Sequence, residues 1–127
     1  MIAKGYSLVE LMVVVAIIGI IGAIAYPSYQ DHIRNTYTAQ AVADLKVCAL
    51  AIDRFYSNGF TYVGAEAGNV CSMVSPSDAD PGSTAVKYNL SYITETATNY
   101  VIRATPVGES CSGQCPQLAA DGSQTLE

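Results

Sequence analysis

A single carboxylate, Glu10, interrupts a long apolar run near the start of this 127-residue chain. No other charged residue lies between Lys4 and Asp31. A charge at the centre of a membrane helix costs roughly 2.5 to 3.5 kcal/mol on insertion scales, so such residues usually face a partner rather than lipid. Glu10 therefore predicts a specific contact with a partner group rather than with lipid.

Four cysteines, Cys48, Cys71, Cys111 and Cys115, are the other residues with chemistry of their own. They can pair in three ways, and the sequence alone leaves the three open. We favour Cys48 with Cys71, which ties a helix to a loop, and Cys111 with Cys115, which closes a short loop. A zinc site is the alternative, but the cysteine spacing is not C-x-x-C and no second cluster completes it. We therefore expect two disulfides, no metal and no other cofactor.

The apolar run, residues 6–29, is long enough at 1.5 Å per residue to cross a hydrocarbon core of about 30 Å. A secretory signal peptide is the alternative, with Lys4 as its charged region and Ala23-Ile24-Ala25 as its cleavage site. Against it, Glu10 interrupts the apolar region and the helical pattern continues past the cut. A buried core helix is excluded because so small a domain could not surround it. The run is predicted to be a membrane helix.

The helical pattern continues beyond Pro27 in amphipathic form. Apolar residues recur three and four positions apart, on one face of a helix: Ile33, Tyr37, Ala41, Leu45, Cys48, Ile52 and Tyr56. Most of the remaining surface is polar: Asp31, Arg34, Gln40, Asp44, Lys46, Asp53 and Arg54. One helix is therefore predicted over residues 6–57. Because Pro27 lacks a backbone N–H and Gly19 and Gly22 add flexibility, we expect a kink near residues 23–27.

The rest of the chain predicts an antiparallel sheet. Gly59 is expected to stop the helix, and residues 62–81 have the composition of a connecting segment. Asp121-Gly122 is the strongest hairpin signal in the sequence. The predicted strands are residues 88–92, 100–105, 117–120 and 123–126. We expect an α+β fold in which the apolar half of the helix protrudes and its amphipathic half packs on three or four strands.

Charge and residue patterns exclude several function classes. The formal net charge is −5, and removal of Lys4 from the six basic side chains leaves five against eleven acidic ones. That balance argues against a general nucleic-acid-binding protein, which carries a basic face. A local basic patch formed by several copies in a polymer is not excluded, so nucleic acid is kept as a candidate partner. No catalytic triad, phosphate loop or pair of carboxylates is apparent, so the chain is not expected to be an enzyme. Asp78 and Asp80 lie in an incomplete calcium loop, interpreted as a solvated turn.

Residues 4–12, Lys-Gly-Tyr-Ser-Leu-Val-Glu-Leu-Met, and the apolar run that ends in Ala-Tyr-Pro-Ser-Tyr resemble a bacterial type IVa prepilin with its class III signal peptide. The resemblance is close over residues 4–37 and looser beyond. It implies that a prepilin peptidase cuts after Gly5 and methylates the new amine of Tyr6, where most relatives have Phe. The leader, residues 1–5, is shorter than is usual in the family, which leaves open a start codon upstream.

The resemblance also implies a partner for Glu10, namely the Tyr6 amine of a neighbouring subunit. A buried ion pair need not add stability, but a buried charge without its partner costs about 3 to 5 kcal/mol. The pair would therefore set the register between subunits. The implied organisation is a leader of residues 1–5, a membrane and filament-core helix of residues 6–29, and a pilin head of residues 30–127 that includes the second half of the helix.

The implied function is that of a structural subunit, held in the inner membrane as a single-pass protein and then assembled into an extracellular pilus for adhesion, motility or DNA uptake. The implied partners are further copies, other pilins, the peptidase, the assembly machinery and the inner membrane. A minor pilin with a tip or recognition role and a type II secretion pseudopilin remain alternatives, and two disulfides favour a pilin over a pseudopilin. The nine tyrosines are interpreted as interfacial and packing residues rather than as a path for electrons.

Overall fold

The computed structural model describes residues 5–111 and 115–126. In this part of the chain one long helix is followed by five strands: α1 Leu8–Gly59, β1 Val74–Ser75, β2 Tyr88–Glu95, β3 Tyr100–Pro106, β4 Pro116–Ala119 and β5 Gln124–Leu126. The strands form one sheet in the order β1-β2-β3-β4-β5, and each is antiparallel to the next. The predicted α+β class is confirmed, whereas the predicted number of three or four strands is wrong.

The additional strand is β1, which lies within the segment predicted to be a connection. It has only two residues, too few to show the alternation by which a strand is recognised in a sequence. Its position is fixed by pairing, since Val74 lies opposite Asn89 and Ser75 lies opposite Tyr88. The Lys87 N–H donates to the Ser75 carbonyl at 2.8 Å. β1 is therefore formed by long-range contacts rather than by a local sequence signal.

The chain divides into two compact units, Met1–Asn35 and Thr36–Glu127. In the first unit, α1 is apolar and uncovered, because the large apolar side chains of residues 6–29 are 48% to 80% exposed. α1 is the one helix among the described residues that is long and apolar enough to cross a membrane, judged by length and composition. Pro27 lies inside α1, which continues through it, so the expected kink stays a prediction.

The second unit has its core between one face of α1 and the sheet. The α1 residues of this core are Ala41, Leu45, Cys48 and Ile52, each no more than 2% exposed. The sheet residues are Tyr88, Leu90, Tyr100, Ile102, Ala104 and Leu118. The predicted packing of the amphipathic half of the helix on the sheet is confirmed.

Asp44 lies on this buried face, not on the polar surface where the sequence placed it. It is 6% exposed, and its carboxylate accepts a hydrogen bond from the Ser75 hydroxyl at 2.5 Å. The Gln40 side-chain amide donates to both carboxylate oxygens at 3.3 Å. The expectation failed because the partner, Ser75, belongs to the unpredicted strand β1.

The helix ends at Gly59, as predicted, but the next residue is unusual. Phe60 has a left-handed φ of 53°, and its N–H donates to the Tyr56 carbonyl at 2.6 Å. Glycine is the usual residue in this position after a helix because it has no Cβ to strain the left-handed backbone. Gly59 therefore precedes the left-handed position by one residue, and a bulky, 79% exposed side chain occupies it.

Two tyrosines of β2 give a matched test of the head's hydrogen bonding. The Tyr88 hydroxyl hydrogen-bonds Thr38 at 2.8 Å, whereas the buried Tyr92 hydroxyl has no partner among the described residues. Burial, with smaller effects of Glu95 and Glu66, raises the pKa of Tyr92 to about 12. Tyr88→Phe should lower the free energy of unfolding by about 0.5 to 1.5 kcal/mol, and Tyr92→Phe should leave it unchanged or raise it.

Urea unfolding of the full chain in detergent micelles, followed by tyrosine near-ultraviolet dichroism, measures both changes. Equal losses in the two variants would contradict the hydrogen-bond assignment.

Candidate functional site

The Gly5–Tyr6 peptide bond lies outside α1. Residues 5–7 are non-helical, and Tyr6 is 80% exposed. A Cβ placed on Gly5 would meet nothing within 4 Å among the described atoms. The packing of the described residues therefore does not demand glycine here, and a requirement for glycine would come from whatever binds this bond.

Ser7 is the residue at which α1 begins. Its carbonyl accepts hydrogen bonds from the N–H groups of Glu10 at 3.1 Å and Leu11 at 3.2 Å. This places Ser7 at the N-cap and Glu10 at the third helical position, and serine and glutamate at those positions are the residue types of a capping box. The helix was predicted from residue 6 and starts two residues later. The Ser-x-x-Glu pattern was the available signal for this start.

Glu10 lies in the first turn of α1 and is exposed. The free N–H groups of a helix start carry a partial positive charge, and a carboxylate there is stabilising by about 0.3 to 1 kcal/mol. Its neighbours are apolar and exposed, among them Leu8, Val9 and Leu11. The carboxylate is therefore stabilised by the N-terminus of the helix, but the surface around it is apolar.

Gly19 and Gly22 lie within α1, and neither has close neighbours. An added Cβ at either position would meet nothing within 4 Å. The packing of residues 5–111 and 115–126 therefore does not require either glycine. Small residues on an apolar helix allow a second helix to approach closely, so both positions suit contact with another chain.

The cysteines form the two pairs favoured from the sequence. Cys48 of α1 is bonded to Cys71 of the connecting segment, with Cα atoms 5.1 Å apart. Cys111 is bonded to Cys115, with Cα atoms 5.5 Å apart, and the loop between them lies outside the described residues. Among residues 5–111 and 115–126, no group of three metal-binding side chains is present. The first bridge fastens the segment before β1 to the helix.

An aromatic cluster joins the C-terminal end of α1 to β3. The rings of Tyr56 and Tyr62 stack at 4.5 Å, and Tyr62 meets Tyr100 edge-on at 4.9 Å. Burial and the Asp53 carboxylate, which accepts from the Tyr62 hydroxyl at 3.4 Å, raise the pKa of Tyr62. Tyr100 is 1% exposed. These contacts are those of core packing, in line with the interpretation of the tyrosines from the sequence.

Basic side chains are few in the head, and Lys87 is among those engaged within the fold. The Lys87 ammonium donates to the Thr84 carbonyl at 2.9 Å and lies 5.5 Å from the centre of the Tyr37 ring. Lys46 and Arg54, both on α1, are exposed. An anionic ligand would therefore meet few free cations on this surface.

Two family profiles match the sequence. The prokaryotic N-terminal methylation motif matches residues 1–26. The family described as "Type IV minor pilin ComP, DNA uptake sequence receptor" matches residues 27–119. Together they cover the apolar helix start and nearly all of the head.

Known proteins with similar sequences are fimbrial subunits. Fimbrial protein Q of Moraxella bovis is 44% identical over 52% of this chain and 42% of its own length. The type IV major alpha-pilin of Moraxella bovis is 37% identical over 68% of this chain and 55% of its own length. The type IV major fimbrial protein FimA of Dichelobacter nodosus is 32% identical over 80% of this chain and 70% of its own length. The chain thus spans about half the length of the first two, and no solved structure matches it significantly.

The two bridges should differ in their contribution to stability. The Cys48–Cys71 bridge spans 23 residues and the Cys111–Cys115 bridge spans 4. Since a longer loop loses more conformational freedom in the unfolded chain, the loop-entropy relation gives about 3 kcal/mol for the first and about 2 kcal/mol for the second. Removing each pair by double alanine substitution should reproduce that order in urea unfolding.

Non-reducing peptide mapping of the unmodified chain is the control, and it should recover these two pairs. A Cys48 peptide linked to Cys111 or Cys115 would refute the connectivity.

Proposed function

This chain belongs to the type IV pilins, within the family of the minor pilin ComP, and we propose that it is a subunit of a type IV pilus, cut after Gly5 and methylated on Tyr6. The N-methylation motif and the apolar helix are those of a chain that is anchored in the inner membrane and then transferred to an extracellular pilus. Its role in the filament is structural, without a catalytic function of its own.

The observation that carries this proposal is the uncovered apolar surface of residues 8–29. A water-exposed surface of this kind is costly, because burying apolar area contributes roughly 25 cal/mol per Å². The fold of the chain leaves this surface uncovered, with side chains such as Leu8 at 74% and Ile24 at 71% exposure. Lipid before assembly and the equivalent helices of other subunits afterwards would cover it. Residues 6–29 are thus proposed as membrane anchor and filament core, and residues 30–127 as the head.

Glu10 is proposed to pair with the Tyr6 amine of a neighbouring subunit. That amine is absent until the Gly5–Tyr6 bond is cut, so the pair links assembly to processing. The exposure of both Tyr6 and Glu10 supports contact with another chain. In an apolar bundle a mispaired charge is costly, which would favour one register over others.

A second candidate is a minor pilin that recognises DNA, and the match of residues 27–119 to the ComP family favours it. The charge balance limits how such recognition could work. With few basic side chains on the head, non-specific attraction to phosphates must be weak, and affinity would depend on contacts to base edges or on DNA shape. A pseudopilin of type II secretion is the remaining alternative.

Processing and assembly are tested together in a cell that makes pili. Mass analysis of the N-terminus should find a cut after Gly5 and a methyl group on Tyr6. Glu10→Ala and its near-isosteric partner Glu10→Gln should both enter the membrane normally and lower the yield of sheared filaments by roughly tenfold or more, since each leaves a buried amine unpaired. Electron microscopy and immunoblotting measure the yield.

Normal pili from Glu10→Gln would refute the ion pair, and a cut after Ala25 would refute the pilin assignment in favour of a secreted domain. Abundance in sheared filaments distinguishes the roles: a large share indicates a major subunit, traces indicate a minor pilin, and retention in the inner membrane indicates a pseudopilin.

DNA recognition has its own signature in salt dependence. The mature chain has five basic side chains, and each neutralised phosphate contributes about 0.9 to the slope of log K against log salt, so the slope per bound copy should be no steeper than about −4.5. Filter binding by the micelle-bound mature chain, with genomic and shuffled DNA of equal length, measures slope and specificity. Preference for the genomic fragment at physiological salt supports this candidate, and equal or absent binding refutes it.

A further inference from the structure

The helix start and the proposed cleavage point are only a few atoms apart along the chain. Ser7 is the N-cap of α1, and the Gly5–Tyr6 bond lies one residue before it. The bond is exposed and non-helical, whereas helical structure begins at Leu8. A shift of the helix start by two residues would bring Tyr6 into the first turn.

Helical structure at this bond would oppose its hydrolysis. A peptidase must bring a water molecule and its catalytic groups to the Gly5 carbonyl carbon, and exposed, irregular backbone is preferred for cutting because it can adapt to the enzyme. In a helical turn the carbonyl oxygen is held by a hydrogen bond and the backbone is coiled, so the turn has to open first.

Ser7 is the residue that can keep the helix from extending towards the cut. A serine at the N-cap accepts hydrogen bonds from the first free N–H groups of a helix, and alanine lacks this acceptor and is the best helix former. Of the two described residues upstream of Ser7, only Gly5 is an acceptable N-cap type. Loss of the cap at Ser7 would therefore move the helix start to Gly5, where Tyr6 becomes helical.

We propose that Ser7 is a positioning residue for prepilin cleavage: by starting α1 at Leu8, it keeps the Gly5–Tyr6 bond in the non-helical form that the peptidase cuts. In the reaction, water adds its hydroxyl to the Gly5 carbonyl carbon and a proton to the Tyr6 nitrogen as the bond between them breaks. This role rests on the proposed function, because it presupposes that the cut falls after Gly5. Ser7 acts through the backbone conformation, not by contact with the reacting atoms.

The experiment uses the full chain in membrane vesicles with added prepilin peptidase, at substrate concentrations well below saturation. Initial rates of conversion are followed by mobility shift, and the cut is located by mass. Two matched substitutions separate capping from shape: Ser7→Thr keeps the hydroxyl, and Ser7→Val has the shape of threonine without it. Ser7→Asn caps through an amide oxygen and has no hydroxyl, and Ser7→Ala removes the cap altogether.

Capping predicts that the serine, threonine and asparagine chains are cut at similar rates. It predicts that Ser7→Ala and Ser7→Val are cut about fivefold more slowly, the factor by which loss of an N-cap typically shifts a helix equilibrium. In NMR spectra of the uncut full chain in micelles, the Tyr6 Cα shift should move to helical values in Ser7→Ala and Ser7→Val and stay unchanged in Ser7→Thr and Ser7→Asn. Slow cutting together with that shift supports the proposal.

Three results would overturn it. Ser7→Ala cut at the unmodified rate would mean that the helix start is irrelevant to cleavage. Ser7→Asn cut as slowly as Ser7→Val would mean that the enzyme contacts the hydroxyl directly. If Ser7→Ala is cut slowly but its Tyr6 Cα shift is unchanged, the enzyme likewise contacts the Ser7 hydroxyl directly and the helix start is not the cause. Failure of the unmodified chain to be cut after Gly5 would instead refute the proposed function.

Discussion

An apolar helix surface that the chain does not cover is the constraint from which the rest of the molecule follows. α1 carries two different patterns in one element: apolar residues on every side in its first half and on one side in its second half. The first pattern requires surroundings that are apolar all round, as lipid or a bundle of like helices provides. The second requires a partner on one face, which the sheet supplies through contacts to Leu45 and Ile52. The two patterns therefore assign different partners to the two halves of one helix.

The head is held together by little apolar material, so its other contacts matter more than they would in a large domain. Small domains bury a low fraction of their surface and often depend on disulfides. Cys48 lies in the core itself, so its bond to Cys71 ties the connecting segment directly to the core. The contact between Asp44 and Ser75 then holds the two-residue strand β1 against the helix. A buried carboxylate demands such a partner, which makes the position of β1 specific.

An element of the fold could be predicted when its sequence signal lies within a few neighbouring residues, and not when it depends on contacts between distant residues. The helix and the last hairpin were predictable because their signals are local: a repeat of three and four residues, and Asp121-Gly122 between the strands in which Leu118 pairs with Gln124. β1 and the burial of Asp44 were not, because each is determined by the other across a long stretch of chain. The cap at Ser7 was a local signal that apolar periodicity does not register. The pairing of the cysteines depends on which of them are close in the folded chain. The spacing of cysteines along the sequence indicates that closeness only indirectly.

The start of α1 also affects which partner the proposed Tyr6 amine meets. If the helix began before Tyr6, that residue and Glu10 would be four positions apart on one helix face, at the separation where opposite charges pair within a chain. The cut chain would then neutralise itself, and the amine would have no need of a neighbour. Because α1 begins at Leu8, Tyr6 lies outside the helix, and Tyr6 and Glu10 do not share a helix face. A helix start placed after the cleavage point therefore favours a pair between subunits over a pair within one.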